Sequence, residues 1–268
     1  PARVAFTVHN SGNNYASGGY FSLTATNTDF AGGITVNGHK SVELRIADEN
    51  NLGAGSAAFR PDQLKLTSNG VLYATASLAL DDPNRGITLD TVGGVLRVEA
   101  GNALSVSVPV TGPGKLTQRG AGTLVLSGAN SFRGGTAVES NATLEVRAPW
   151  ALGSNAVSFA QNTTLRIPRD PAALPLGLRL GGAVPLTVAN ILRVRPLFAE
   201  GEPLPRAFDL PLFLLMQAAE LDTSPLVMEG TPPGYTATLL ARAVNDGVTS
   251  RTQIYVHYLF VGTVITVK

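Results

Sequence analysis

The chain has 268 residues and no cysteine. That excludes a disulfide framework, a thiolate metal ligand and a cysteine nucleophile. Charge is also scarce. Only 15% of residues are Asp, Glu, Lys or Arg, and 20 cations against 19 anions leave a formal +1. A near-neutral chain lacks the basic face that nucleic acid requires, and 44% hydrophobic content is too high for a disordered segment. No run of about 18 apolar residues occurs, so no transmembrane helix is encoded. The longest apolar stretches, residues 210–216 and 254–267, are strand-sized and interrupted by Pro211, or by His257, Tyr258 and Gly262. The opening residues, Pro1 to Val4, lack the basic-then-apolar order of a secretion signal, and no initiator Met precedes them. The chain is therefore expected to be a mature product or part of something longer.

What is abundant is glycine, 29 in all, among short runs that alternate apolar and small polar residues. Leu78-Ala-Leu80, Leu104-Ser-Val106, Leu124-Val-Leu126 and Leu144-Glu-Val146 are typical, each bounded by Gly, Pro, Asn or Asp turns. Alternation of this kind predicts strands, and no stretch from 70 to 146 keeps three-four apolar spacing for three turns. Residues 213–221 carry the only reasonable helix composition and are left ambiguous. The class is all-β.

An internal repeat supports a stacked architecture. Leu23, Phe30, Gly32, Gly33 and Val36 match Val125, Phe132, Gly134, Gly135 and Val138, each offset by 102 residues. Leu44, Ile46, Leu52, Gly53 and Phe59 match Leu144, Val146, Leu152, Gly153 and Phe159 at an offset of 100. Leu64 and Leu66 then match Leu165 and Ile167 at 101. Ordered pairs with two small slips point to a solenoid, in which stacked coils share one core and tolerate insertions at turns. A sandwich with duplicated halves is the alternative, but its short hairpin turns are scarce here.

The run Thr111-Gly-Pro-Gly-Lys-Leu-Thr-Gln-Arg-Gly-Ala-Gly-Thr-Leu-Val-Leu-Ser-Gly-Ala-Asn-Ser-Phe-Arg-Gly-Gly-Thr-Ala-Val138, followed by Ala142-Thr-Leu-Glu-Val146 and Ala151-Leu-Gly-Ser154, closely resembles the autotransporter-associated β-strand repeat, also called the passenger-associated repeat. Gln118-Arg119 stands where a Lys is common, and Asn141-Ala142 replaces a small-Gly pair. The resemblance implies a right-handed parallel β-helix in a secreted or surface-exposed bacterial protein, and no particular activity. Residues 1–167 are expected to form that β-helix, with related units at about 20–66 and 110–167. Eleven of the 17 prolines lie between Pro168 and Pro233, so residues 168–268 are expected to form an irregular, Pro-rich β cap. Gly234-Tyr235-Thr-Ala-Thr-Leu239 resembles a closing strand of such passengers.

Chemistry is hard to find. Phe30, Gly32, Gly33, Phe132, Gly134, Gly135, Leu152 and Gly153 are structural repeat positions. Glycan hydrolysis needs two carboxylates about 5–10 Å apart. The adjacent acids Asp48-Glu49 and Asp81-Asp82 sit in turn-like segments and are expected to be solvated. His9, His39 and His257 have no acid at ligand spacing, and His257 in an apolar strand reads as a hydrogen-bonded strand residue. No phosphate-binding glycine loop, nucleophile elbow or calcium loop is present. No catalytic, cofactor or metal residue is therefore assigned. Trp150, Tyr15 and Tyr20 are candidate glycan contacts, though Trp150 reads more readily as a coil-edge cap. The function expected is a noncatalytic stalk, spacer or adhesin scaffold. A glycan-binding or glycan-cleaving module and a self-assembling surface subunit are the alternatives. Partners would be a host surface, a glycan or neighbouring copies, with no nucleic acid.

Overall fold

The computed structural model describes residues 5–8, 19–27, 29–38, 42–170, 172, 174–217, 221–245 and 248–261. Within them the chain winds as a parallel β-solenoid with three sheets. The first sheet stacks five strands, Ala5–Val8, Gly33–Asn37, Arg60–Thr67, Arg85–Leu89 and Val110–Thr111. The second stacks eight, starting from Tyr20–Leu23, Glu43–Ile46, Gly70–Ala74 and Gly94–Val98. It continues through Leu116–Arg119, Thr136–Val138, Val157–Phe159 and Leu186–Val188. The third stacks seven, from Leu78–Leu80, Ala103–Val106, Thr123–Leu126 and Thr143–Val146 to Thr163–Pro168, Leu192–Leu197 and Leu226–Met228.

Alternation explains why these short segments form strands. Leu78, Leu104, Leu124, Leu144, Leu165 and Val194 lie in register down the third sheet and point inward. Thr123, Thr143 and Thr164 form the matching outer row. One apolar residue every second position, repeated once per coil, builds a continuous aliphatic column that no single coil could bury alone. From Leu104 to Leu124 to Leu144 the rungs are 20 residues apart. The spacing is 24 between Gly70 and Gly94, and 29 between Thr163 and Leu192. The extra residues leave the coil as loops at its corners.

The first sheet ends at Val110–Thr111, and beyond it backbone bonds such as Ser131 N–H to the Val110 carbonyl are joined by a side chain. Asn130 is buried, and its Oδ1 accepts from the Val110 N–H at 2.9 Å while its Nδ2 donates to the Ala151 carbonyl at 2.8 Å. One amide thus satisfies backbone groups of the coils before and after it, which a buried corner requires. Phe132 occupies the same corner, with no exposed surface.

The segments paired by the sequence repeat lie in different sheets. Gly33–Asn37 belongs to the first sheet and its counterpart Thr136–Val138 to the second. Likewise Glu43–Ile46 lies in the second sheet, and Thr143–Val146 in the third. The last pair breaks that relation, since Leu64 and Leu66 lie in the first sheet and Leu165 and Ile167 in the third. The corner shared by the two units is conserved in geometry: a Cβ on Gly53 would lie 2.2 Å from the Phe30 carbonyl oxygen, and one on Gly153 would lie 2.6 Å from that of Phe132. Each Leu-Gly therefore seats its glycine against the aromatic of the preceding coil. Phe59 departs from the pattern. It is 47% exposed at a corner, whereas Phe159 is buried in a strand of the second sheet.

Gly153 has φ +73 and Gly101 has φ +80, but a Cβ on Gly101 would meet nothing within 4 Å. Substitution by alanine carries the left-handed backbone penalty, about 1–2 kcal/mol, at both sites. At Gly153 the collision with Phe132 adds overpacking on the order of 1–3 kcal/mol. Gly153→Ala should therefore lower the urea midpoint clearly more than Gly101→Ala. Equal losses would refute the close approach.

Parallel stacking runs on beyond residue 167 and then changes character. Leu178–Leu180 pairs in parallel with Ala207–Leu215, which pairs antiparallel with Ser250–Phe260, and that strand pairs antiparallel with Tyr235–Asn245. Residues 213–215, part of the ambiguous helix candidate, are strand. Flanking pairing partners on Leu178–Leu180 and Ser250–Phe260 override the local helix-favouring composition. This four-stranded sheet extends the solenoid core through Leu210, Phe213, Ile254, Val256 and Tyr258. Phe208 stacks on Tyr258 at 4.8 Å, and burial pushes the Tyr258 phenol up to about 12.

Candidate functional site

The outer face of the second sheet carries the most organised polar array. Arg45, Tyr73, Arg97 and Arg119 stand in register on four successive rungs. Rungs are about 4.8 Å apart, so long side chains on neighbouring rungs stack. The Tyr73 ring lies between two guanidinium groups, with Arg97 Cζ 4.2 Å and Arg45 Cζ 5.3 Å from its centroid. Arg45 also covers the Tyr20 ring at 3.7 Å. The Glu43 carboxylate binds both arginines, at 3.1 Å to Arg45 and 2.6 Å to Arg97. The Tyr73 hydroxyl donates to Glu99. Beneath this array Val71, Tyr73 and Val95 form an apolar cluster separate from the core.

Arg119 closes the array in a bidentate pair with Glu139, with Nε to Oε2 at 3.0 Å and Nη2 to Oε1 at 3.1 Å. Donation to the Glu139 carboxylate raises the Arg119 pKa, so the guanidinium stays charged. Past that pair the surface falls to small residues. Thr117, Ala137, Ser158 and Thr187 are in register along the coil axis. With Asn69, Lys115, Ala160 and Ala189 they line a shallow groove of about 520 Å³. The result is a hydroxyl-bearing trough with charge at one end.

The aromatic candidates are not brought together. Tyr20 is 58% exposed on the second sheet, at the start of the arginine array. Trp150 sits half-buried at a coil corner, where Arg179 from the following coil lies 5.0 Å from its ring. The Arg179 N–H donates to the Pro149 carbonyl at 2.9 Å. Tyr15, His9 and His39 lie outside the described residues.

Asp48 and Asp81 are exposed, as their turn-like sequence implies, but Glu49 is not. Stacking places the two acidic turns together, and the N–H groups of Asp81 and Asp82 donate to Glu49 at 3.2 and 3.4 Å. Glu49 is not a solvated turn residue, because Arg85 lies against it. The Arg85 guanidinium is 1% exposed, with Nε 3.1 Å from Glu49 Oε1 and Nη2 donating to the Gly53 carbonyl at 2.8 Å. Burial raises the Glu49 pKa against the opposing effects of the Asp81 N–H and the Arg85 charge. Asp48 and Asp82 cap their own turns, accepting from Asn50 N and Asn84 N. The carboxylates of Asp48, Glu49 and Asp82 each have a structural task. Nothing in sequence marked Arg85, since its partner lies 36 residues away across a coil boundary.

His257 is a hydrogen-bonded strand histidine, with Nδ1 2.8 Å from Asp209 Oδ1. Asp209 also pairs with Arg242 at 2.6 Å. Among the described residues no group of three His, Asp or Glu side chains is placed to hold a metal ion, and no helix is long and apolar enough to cross a membrane.

Comparison with known proteins accounts for the most regular coils. Residues 116–146 match the family described as Passenger-associated-transport-repeat. They contain two rungs of the second sheet and two of the third. Over 178 residues, 63% of this chain, the sequence is 33% identical to the adhesin BmaC autotransporter of Brucella suis biovar 1 (strain 1330). The aligned stretch spans 5% of that protein's length. No solved structure matches. Residues 116–146 thus resemble a passenger-associated-transport repeat, and they are wound as part of a parallel β-solenoid.

Proposed function

We propose that the chain is a noncatalytic scaffold segment of a secreted or surface-exposed bacterial adhesin, serving as stalk, spacer or platform. The observation that carries this is the stack itself. Each coil spends its backbone hydrogen bonds on the next, and one core runs from Val8 to Tyr258. Such a body is stiff along its axis and leaves its outer rows free to vary. The passenger repeat and the adhesin relative support the surface location and the absence of catalysis. The four-stranded sheet after residue 168 would act as a cap, covering apolar coil surface that would otherwise be open.

A second reading is glycan contact along the second sheet. It is favoured by Tyr20, exposed beside stacked arginines, and by the trough of Thr117, Ser158 and Thr187. Beads coated with the full chain test both. They should be retained on epithelial monolayers several-fold above albumin-coated beads, and should release no reducing ends from polysaccharides. Hydrolysis would overturn the scaffold reading. Binding on a glycan array that disappears in Tyr20→Ala would establish the second.

A further inference from the structure

The last strand of the cap sheet, Tyr235–Asn245, is paired on one side only. Its inner neighbour is Ser250–Phe260, in an unbroken 11-residue antiparallel ladder without a bulge. No strand lies along its other edge among the described residues. Leu240, Ala241, Arg242 and Ala243 are all exposed, so both faces of the sheet are open along this strand. Natural sheets guard long edges with lysine, proline, bulges or a short strand. This strand has none of these, and its one charged residue is Arg242.

Arg242 does not guard the edge. Its guanidinium reaches back over the sheet, over the Tyr255 ring at 4.3 Å, to Asp209 Oδ2 at 2.6 Å, with Nε donating to Gln253 at 2.8 Å. Asp209 lies two strands in from the edge. The pair with Asp209 therefore holds the only charge of this strand away from its open backbone.

We propose that the chain pairs with a second copy of itself through this edge, antiparallel about a two-fold axis at Leu240, joining two four-stranded cap sheets into one of eight. Leu240 is the midpoint of Tyr235–Asn245, so the register about it uses the whole strand. In that register Leu240 meets its own copy, Leu239 meets Ala241, Thr238 meets Arg242, Ala237 meets Ala243 and Thr236 meets Val244. No like charges face each other. The two Arg242 residues are offset by four positions, about 14 Å, beyond the screening length of about 8 Å at physiological salt. Leu240 is 41% exposed, so pairing covers an apolar side chain as well as backbone. The inference does not depend on the adhesin reading.

Sedimentation of the full chain tests it. Wild type should show a concentration-dependent dimer by about 100 μM, where a micromolar contact is close to saturation. Leu240→Lys and Leu240→Glu each place like charges opposite one another at the two-fold axis. Each should weaken the dimer at least tenfold while keeping the wild-type melting curve. Mixing the two should restore a dimer, because the opposed residues then attract. A wild type that stays monomeric, or a Leu240→Lys variant that dimerises like wild type, would overturn the proposal.

Discussion

Phe132→Ala should lower the unfolding free energy by about 3–5 kcal/mol, the range for truncating a fully buried aromatic. The ring has no exposed surface and fills the corner that the first sheet vacates. Gly153 of the next coil is seated against it, and the Ser154 N–H donates to the Phe132 carbonyl at 3.1 Å. Removing the ring leaves a void between coils whose backbones are held apart by hydrogen bonds, so collapse is restricted. Because solenoid stability is a sum over neighbouring coils, the loss should be local first. Hydrogen exchange should accelerate most around residues 110–131 and 151–159. A loss below about 1 kcal/mol, or exchange that rises evenly along the chain, would contradict this account of the corner.

Arg85→Met should be comparably damaging, about 3–5 kcal/mol, because it strands a partly buried carboxylate. Glu49 loses its cation and the Gly53 carbonyl loses its donor. The double variant Arg85→Met/Glu49→Gln should recover much of the loss, since the charge left uncompensated is then gone. The pH dependence gives an independent check. Burial raises the Glu49 pKa above its ordinary 4.5, so the folded chain holds this proton more tightly than the unfolded chain does. The contribution of Glu49 to stability is therefore greatest below about 4.5. It declines as pH rises from there through the raised folded value, and is flat above it. Glu49→Gln should remove that component of the slope. Arg85→Met, by deleting a charge that lowers the Glu49 pKa, should widen the window toward higher pH. Urea midpoints between pH 4 and 7 measure both. A slope unchanged in Glu49→Gln would place the titration elsewhere.

The fold was legible wherever the chemistry is local. Alternation in Leu104-Ser-Val106 and Leu144-Glu-Val146, together with glycine and asparagine turns, specified strands because a residue's neighbours two positions away share its face. In the structure Phe132 and Gly153, from the Phe, Gly-Gly and Leu-Gly pattern, meet at one coil corner. Residues 213–215 are ambiguous in sequence, since Met, Gln and Ala nearby favour helix while the pairing that makes a strand comes from Leu178–Leu180 and Ser250–Phe260.

Sequence alone determined that this chain would be all-β, coiled and poor in charge, because periodicity and turn chemistry act over a few residues. Only the tertiary structure decided which coil lies against which. An offset of 102 residues cannot reveal that the second repeat unit starts one face further round. Nor can it show that Glu49 meets Arg85, that Asn130 bridges three coils, or that Asp209 draws Arg242 off an open edge. Those contacts depend on the number of residues in the intervening coils, and the corner loops make that number vary.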